Sequence, residues 1–177
     1  MHDVAEQPQA AEQPQAADRP RIFPDYAETP EPLISYAILA GGLNAAFAAG
    51  VVTAERRGRL PKRVEVRDIV LLGVATHKLA RLLTKDAVTS FLRAPFVHLE
   101  EKSGSNSINE RPRGSSMRRA VGELLSCPEC TGQWVATGLI LGLLHTPRVT
   151  RLISALYASL AIGDMLQFVY AGLKSRA

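Results

Sequence analysis

The chain has 177 residues, a formal net charge of +4 and a mean hydropathy of +0.02. That length suits one ordinary domain, and two cysteines exclude a disulfide-rich scaffold. Aromatic residues make up only 6% of the chain and do not alternate with the basic ones, so there is no stacking platform for single-stranded nucleic acid. Nucleic acid is therefore not expected as a partner.

The first 32 residues differ from the rest in composition. They contain seven acidic and two basic residues, and the hexamer AEQPQA occurs twice in succession, at 5–10 and 11–16. A segment rich in Pro, Gln, Glu and Ala has little apolar surface to bury. We therefore expect a disordered tail over 1–32.

The segment 33–54 has no charged residue over 22 positions. As a helix it would be about 33 Å long, enough to cross the core of a bilayer. Gly41 and Gly42 begin rows of small residues spaced four apart, which favour close packing by another helix in lipid. A cleaved signal peptide is the competing interpretation, but the long acidic region before this segment favours a retained transmembrane helix.

A basic loop and an amphipathic segment follow. Five Lys or Arg residues within 55–66 predict a cytoplasmic loop. Within 67–86, His77 and Arg81 lie one turn apart on one helix face, and cations are costly at bilayer depth. This pattern predicts an amphipathic helix at the interface or only partly inserted, with a full span as the alternative.

The region 87–126 is predicted as a second cytoplasmic loop. Residues 100–116 are rich in Gly, Ser, Asn and Pro, which is typical of a flexible linker. Because this region is basic, like the loop 55–66, both ends of the helix 67–86 are expected on the same side of the membrane.

The residues 127–177 predict a CxxC turn followed by a transmembrane helical hairpin. Gly138 and Gly142 form a GxxxG pattern suited to helix packing. Asp164 is the lone charge within the last apolar helix, and such a carboxylate is usually paired or functional. We expect it to pair with Arg81 or His77, and a proton or ion pathway is the alternative.

The two cysteines lie at the predicted start of the hairpin, with Pro128 in the first helical turn. Free N–H groups there could lower the pKa of the Cys130 thiol and favour redox chemistry. Alternatively, Cys127 and Cys130 are two of about four ligands of a zinc site, completed by His98 or by a second copy of the chain. A structural role is the third possibility. No catalytic or cofactor-binding residue is predicted, because the sequence has no triad, Walker or GxGxxG pattern.

Three segments carry a family resemblance: ATHKLARLLTKD at 75–86, FLRAPF at 91–96 and GELLSCPECTGQWVA at 122–136. Together they resemble the bacterial DUF1360 family of small membrane proteins, which has a CPxCxGxW box like the one at 127–134. Glu129 and Gln133 are more polar than that pattern suggests. The resemblance covers about residues 66–172 and implies a helical membrane architecture, but no activity.

These observations predict an all-α, multi-pass integral membrane protein of the bacterial inner membrane, with three spans, one amphipathic helix and a disordered tail. The expected partners are the lipid bilayer and either a second copy or another membrane protein. We expect a structural or interaction role and no enzymatic activity. The alternatives are a thiol redox or metal-binding protein acting through Cys127 and Cys130, with zinc as the metal, and a small transport protein that would require oligomers.

Overall fold

The computed structural model describes residues 31–103 and 107–175, without the side chains of 101–103. The predicted tail, 1–32, lies outside the described residues except for its last two positions. Within the described part the chain is mostly helical, which confirms the predicted class in its main feature. A small two-stranded sheet is the exception to the all-α prediction.

The elements follow one another closely along the chain. In order, they are α1 (Leu33–Arg56), α2 (Val66–Lys85), a 3-10 turn (Ala87–Thr89), α3 (Ser90–Arg93), β1 (Val97–Ser103), β2 (Ser107–Pro112), α4 (Ser116–Ser126), α5 (Pro128–His145) and α6 (Pro147–Lys174). The helix α2 packs between α5 and α6, and α1 packs on α5.

One end of this bundle is formed by the loop between α1 and α2 and the turn between α5 and α6. There Arg59 Nη1 donates a hydrogen bond to His145 O at 3.1 Å, and Asp68 binds Arg151. His145 Nε2 also lies 3.2 Å from Gly50 O. We call this end the loop end.

The opposite end carries the sheet, α3 and α4, which we call the cap (residues 87–126). The Tyr36 hydroxyl at the start of α1 donates to Glu123 on α4, and Thr131 Oγ1 on α5 donates to Leu124 O at 2.6 Å. Successive long helices therefore run in opposite directions between the loop end and the cap.

The predicted loop 87–126 is wrong for part of its length, because it contains the antiparallel hairpin of β1 and β2. Val97 pairs with Pro112, and Val97 and Ile108 are both 5% exposed. Gly122 on α4 fits here for lack of a side chain: a Cβ would lie 2.6 Å from Phe96 O. The sequence did not predict this hairpin because its composition is polar and rich in Gly, Ser and Asn; two of its apolar residues, Val97 and Ile108, are buried, and β2 packs on α4.

The helix α2 packs within the bundle, between α5 and α6. Both loops flanking this helix were expected on one side of the membrane, but the structure places them at opposite ends of the bundle. The buried residues of α2 include the small Ala75 and Ala80, and a Cβ on Gly132 of α5 would lie 3.8 Å from the Ala80 side chain. Its amphipathic pattern thus reflects burial between two helices.

Two described helices are long and apolar enough to be candidate membrane spans, α1 and α6. Only 6% of the apolar window of α1 and 17% of that of α6 is buried within the chain. Large apolar side chains on both helices are exposed, including Ile38, Phe47, Leu156 and Phe168. These faces would be unusual on the core helix of a soluble protein.

Candidate functional site

A small cavity lies where the cap end of α2 meets the start of α5. Its volume is about 190 Å³, and its lining residues are Thr76, His77, Ala80, Arg81, Pro128, Glu129 and Gly132. The two helices approach closely here: a Cβ on Gly132 would lie 3.8 Å from the Ala80 side chain. The cavity thus joins two of the segments on which the family resemblance rests.

The cysteine turn forms one wall of this site. Cys127 is the residue before α5, and its Sγ accepts a hydrogen bond from Cys130 N at 3.3 Å, which caps the helix start. Pro128 occupies the first helical position, where no N–H is needed. The Cys127 thiol also donates to Glu129 Oε2 at 3.4 Å. These contacts give the first cysteine a structural role at the helix end.

The Cys130 thiol has the opposite electrostatic environment to the one expected from a helix start. Partial burial, followed by the neighbouring Cys127 and Glu129, raises the pKa of Cys130 to about 11. A thiol with that pKa stays protonated at neutral pH, whereas thiol–disulfide exchange requires the thiolate. The predicted lowering of this pKa is wrong, and both cysteines are free thiols.

The predicted zinc site at Cys127 and Cys130 has no third ligand among the described residues. Among residues 31–103 and 107–175, no group of three or more His, Cys, Asp or Glu side chains could hold a metal ion. His98 lies on β1 opposite Arg111 in the hairpin.

Asp164 forms an ion pair with α2, but its partner is neither Arg81 nor His77. Lys78 Nζ lies 2.6 Å from Asp164 Oδ2, and the two side chains are 18% and 48% exposed. Lys78 faces α6, while His77 and Arg81 turn towards the start of α5. The sequence prediction named two residues of one face of α2, His77 and Arg81. The observed partner, Lys78, directly follows His77 and faces α6.

A second ion pair joins the same two helices at the loop end. Arg151 binds Asp68 through two hydrogen bonds, Nε to Oδ1 at 3.0 Å and Nη2 to Oδ2 at 2.7 Å. The Asp68 side chain is 6% exposed. This ion pair was not predicted from the sequence, because each of its two residues lies near the start of a helix, next to a predicted boundary.

Arg93 fastens the cap to the end of α2. Its side chain is fully buried, and all five N–H donors of the guanidinium are used. Nε and Nη2 bind the Glu110 carboxylate at 2.5 and 3.3 Å, Nη1 donates to Leu83 O and Thr89 Oγ1, and Nη2 also donates to Asp86 O. The segment FLRAPF carried this residue in the family resemblance, but sequence analysis assigned it no role.

The four glycines predicted to pack helices behave differently from one another. A Cβ on Gly142 would lie 2.6 Å from Thr150 Oγ1, so this glycine allows the close turn between α5 and α6. A Cβ added to Gly41, Gly42 or Gly138 would have no other atom within 4 Å. The close contact of α1 uses Gly50 instead, where a Cβ would lie against Leu141.

The fold and the site define a mostly helical bundle with two candidate membrane-spanning helices and ion pairs between α2 and α6. The chain belongs to the DUF1360 family, a family of unknown function, whose model matches residues 71–170. This confirms the resemblance found in the sequence. The match spans α2 to α6 and leaves α1 outside it.

Two proteins of Bacillus subtilis strain 168 are similar to this chain. Sporulation protein YjcA is 36% identical over 102 residues, which cover 56% of this chain and 86% of the relative. UPF0713 protein YngL is 30% identical over 88 residues, or 49% of this chain and 65% of the relative. No solved structure matches the chain.

Proposed function

We propose that this chain is a multi-pass protein of the bacterial inner membrane with a structural or interaction role and no enzymatic activity. The observation that carries the proposal is the exposed apolar surface of α1 and α6, of which the chain itself covers little. Lipid is the solvent that such surfaces match.

The packing of α2 supports a crossing by this helix as well. It lies between α5 and α6 over its length, and its two flanking loops are at opposite ends of the bundle. Lys78 is neutralised by Asp164, and Arg81 lines the cavity beside α5. The proposed arrangement is therefore four crossings, by α1, α2, α5 and α6, one more than the sequence predicted.

The orientation follows from the basic residues at the loop end. Residues 55–66 contain five Lys or Arg residues directly beside two crossings, which favours the cytoplasmic side. The cap has six Lys or Arg residues over 40 positions, and three of them pair with carboxylates of the cap: Arg93 with Glu110, Arg111 with Glu100 and Arg119 with Glu123. The cap and the cysteine turn would then face the other side of the membrane.

Cysteine accessibility tests this topology. In a Cys127→Ser/Cys130→Ser background, Lys62→Cys marks the loop end and Val88→Cys, on a residue that is 73% exposed, marks the cap. With an impermeant maleimide on intact cells, we expect labelling of Cys at position 88 and labelling of position 62 only after the cells are opened. Equal accessibility of the two positions would contradict a crossing by α2.

The proposed partners are the bilayer and a second copy of the chain or another membrane protein. Half of the Asp164 side chain is exposed on an otherwise apolar helix, and Gly138 on α5 is open to a neighbouring helix. Disulfide crosslinking in membranes tests this, with Gly138→Cys as the probe and Gly142→Cys, which faces Thr150 inside the chain, as its control. A crosslinked product from position 138 alone supports association; none from either position contradicts it.

A further inference from the structure

The cavity between α2 and α5 is lined by one arginine and one histidine that have no partner among the described residues. His77 and Arg81 line it, and neither forms a hydrogen bond or ion pair with another residue of the described ranges. The other cations of the bundle core, Lys78 and Arg151, each bind a carboxylate. His77 and Arg81 are both exposed, so the Arg81 guanidinium is free to bind an anionic ligand that enters the cavity.

The opposite wall of the cavity carries a negative charge. Glu129 lies there at the start of α5, so the cavity presents the Arg81 guanidinium and the His77 imidazole on α2 and a carboxylate on α5. The Thr76 hydroxyl adds a neutral donor and acceptor. A ligand that matches this pattern carries both an anionic and a cationic group.

The size of the cavity limits the ligand. At about 190 Å³ it is smaller than the roughly 300–1,000 Å³ of sites that enclose small molecules and cofactors. The remaining lining, from Ala80, Pro128 and Gly132, is apolar or small. The cavity therefore suits one small polar group attached to a larger body outside it.

The level of the cavity indicates where that larger body lies. Trp134 is on the next turn of α5 and is 37% exposed, and tryptophan concentrates at membrane interfaces. If the chain crosses the membrane as proposed above, on which this inference rests, the cavity opens at the depth of lipid headgroups. The apolar stretch of α5 begins directly below it, at Val135.

We propose that this cavity binds the headgroup of an aminophospholipid, with the phosphate on Arg81 and His77 and the ammonium group on Glu129. The guanidinium gives charge-assisted hydrogen bonds to phosphate oxygens, and the carboxylate accepts from the amine. A water-soluble phosphodiester with a free amine has the same polar groups. The interfacial position favours the lipid as their source.

Native mass spectrometry of the purified full chain tests the proposal. Phosphatidylethanolamine, phosphatidylglycerol and phosphatidylcholine are supplied in equal amounts, and we expect phosphatidylethanolamine to be retained most. The variant Arg81→Gln should lower its retention about tenfold, since one charge-assisted contact is lost. Glycerophosphoethanolamine should not compete; effective competition at equal concentration would assign a soluble ligand and overturn the lipid assignment.

A matched control separates a specific site from general attraction to lipid. Arg67→Gln removes the same charge from the exposed first turn of α2, away from the cavity, and should leave retention unchanged. Glu129→Gln should reduce retention of phosphatidylethanolamine and leave that of phosphatidylglycerol unaltered. Equal retention of the three lipids, or equal losses in Arg67→Gln and Arg81→Gln, would overturn the proposal.

The same samples separate this proposal from the one on which it rests. Membranes of each variant are washed with alkaline carbonate before purification. A chain that stays in the membrane but shows no lipid preference contradicts the headgroup site alone. A chain that is released contradicts the membrane topology, and with it the headgroup site.

Discussion

Lys78 on α2 donates a hydrogen bond of 2.6 Å to Asp164 on α6, whereas His77, the residue just before Lys78, lies beside α5. The charges of α2 are thus divided between two neighbours. Lys78 is satisfied by α6, while His77 and Arg81 line the cavity beside α5. This division explains how a helix with several cations can pack between two others.

The Lys78–Asp164 pair predicts the effect of breaking it. Asp164→Asn should lower the free energy of unfolding by about 3 kcal/mol, because it leaves the Lys78 ammonium, whose side chain is only 18% exposed, without its carboxylate. Thermal unfolding in detergent measures this loss. The double variant Lys78→Met/Asp164→Leu should recover most of it, because no unpaired charge is left. Unchanged stability of Asp164→Asn would show that the pair contributes nothing.

Replacing Arg93 should open the cap locally before the whole chain unfolds. Arg93→Met leaves Glu110 buried without its cation and removes five hydrogen bonds, so we expect a loss of about 3–5 kcal/mol and early opening of the cap. Limited trypsin cleavage after Arg113, which precedes Gly114, reports that opening. Arg118→Met is the control, since its bonds to Pro95 O are exposed. Similar cleavage of both variants would count against the fastening role.

The two glycines of the GxxxG pattern should differ when each is replaced by alanine. Gly142→Ala places a Cβ 2.6 Å from Thr150 Oγ1 and should cost about 1–2 kcal/mol of stability through overpacking. Gly138→Ala meets nothing and should be neutral or slightly stabilising, because alanine favours the helix. Thermal unfolding of the two variants side by side makes the comparison. Equal losses would mean that Gly138 has a contact within the chain.

The raised pKa of Cys130 predicts the pH dependence of its alkylation. In Cys127→Ser, which leaves one thiol, partial burial and Glu129 still raise the pKa of Cys130, so its reactivity should increase only as the pH rises beyond the range of an ordinary thiol. At pH 8 we expect a slower maleimide reaction than that of an ordinary thiol of pKa about 8.5. Val88→Cys in a cysteine-free background supplies that reference. A rate that levels off near pH 9 would contradict the environment described for Cys130.

The long helices could be predicted because their apolar runs are local signals. Charge-free residues after Pro32 mark α1, and Pro128 and Pro147 stand at the first positions of α5 and α6. The family also followed from short segments of sequence. In each case the information lies within a few turns of the chain.

The remaining features depend on contacts between distant segments. Lys78 and Asp164 are 86 positions apart, and helical periodicity does not say which cation of α2 faces α6. The hairpin was not predicted because its polar residues match the composition of a linker and, among its described side chains, only Val97 and Ile108 are buried. The direction of the Cys130 pKa also depends on Glu129 and on burial, and not on the helix start alone.

The docking of α1 on α5 has a consequence for biosynthesis. The first helix packs on α5 and α4 rather than on α2, and about 70 residues separate its end at Arg56 from the start of α5. At roughly 5–20 residues per second, the ribosome needs about 4–14 s to make that stretch. During this interval α1 has emerged without its docking surface, and the close approach of Gly50 to Leu141 can form only after the second half of the chain has been translated.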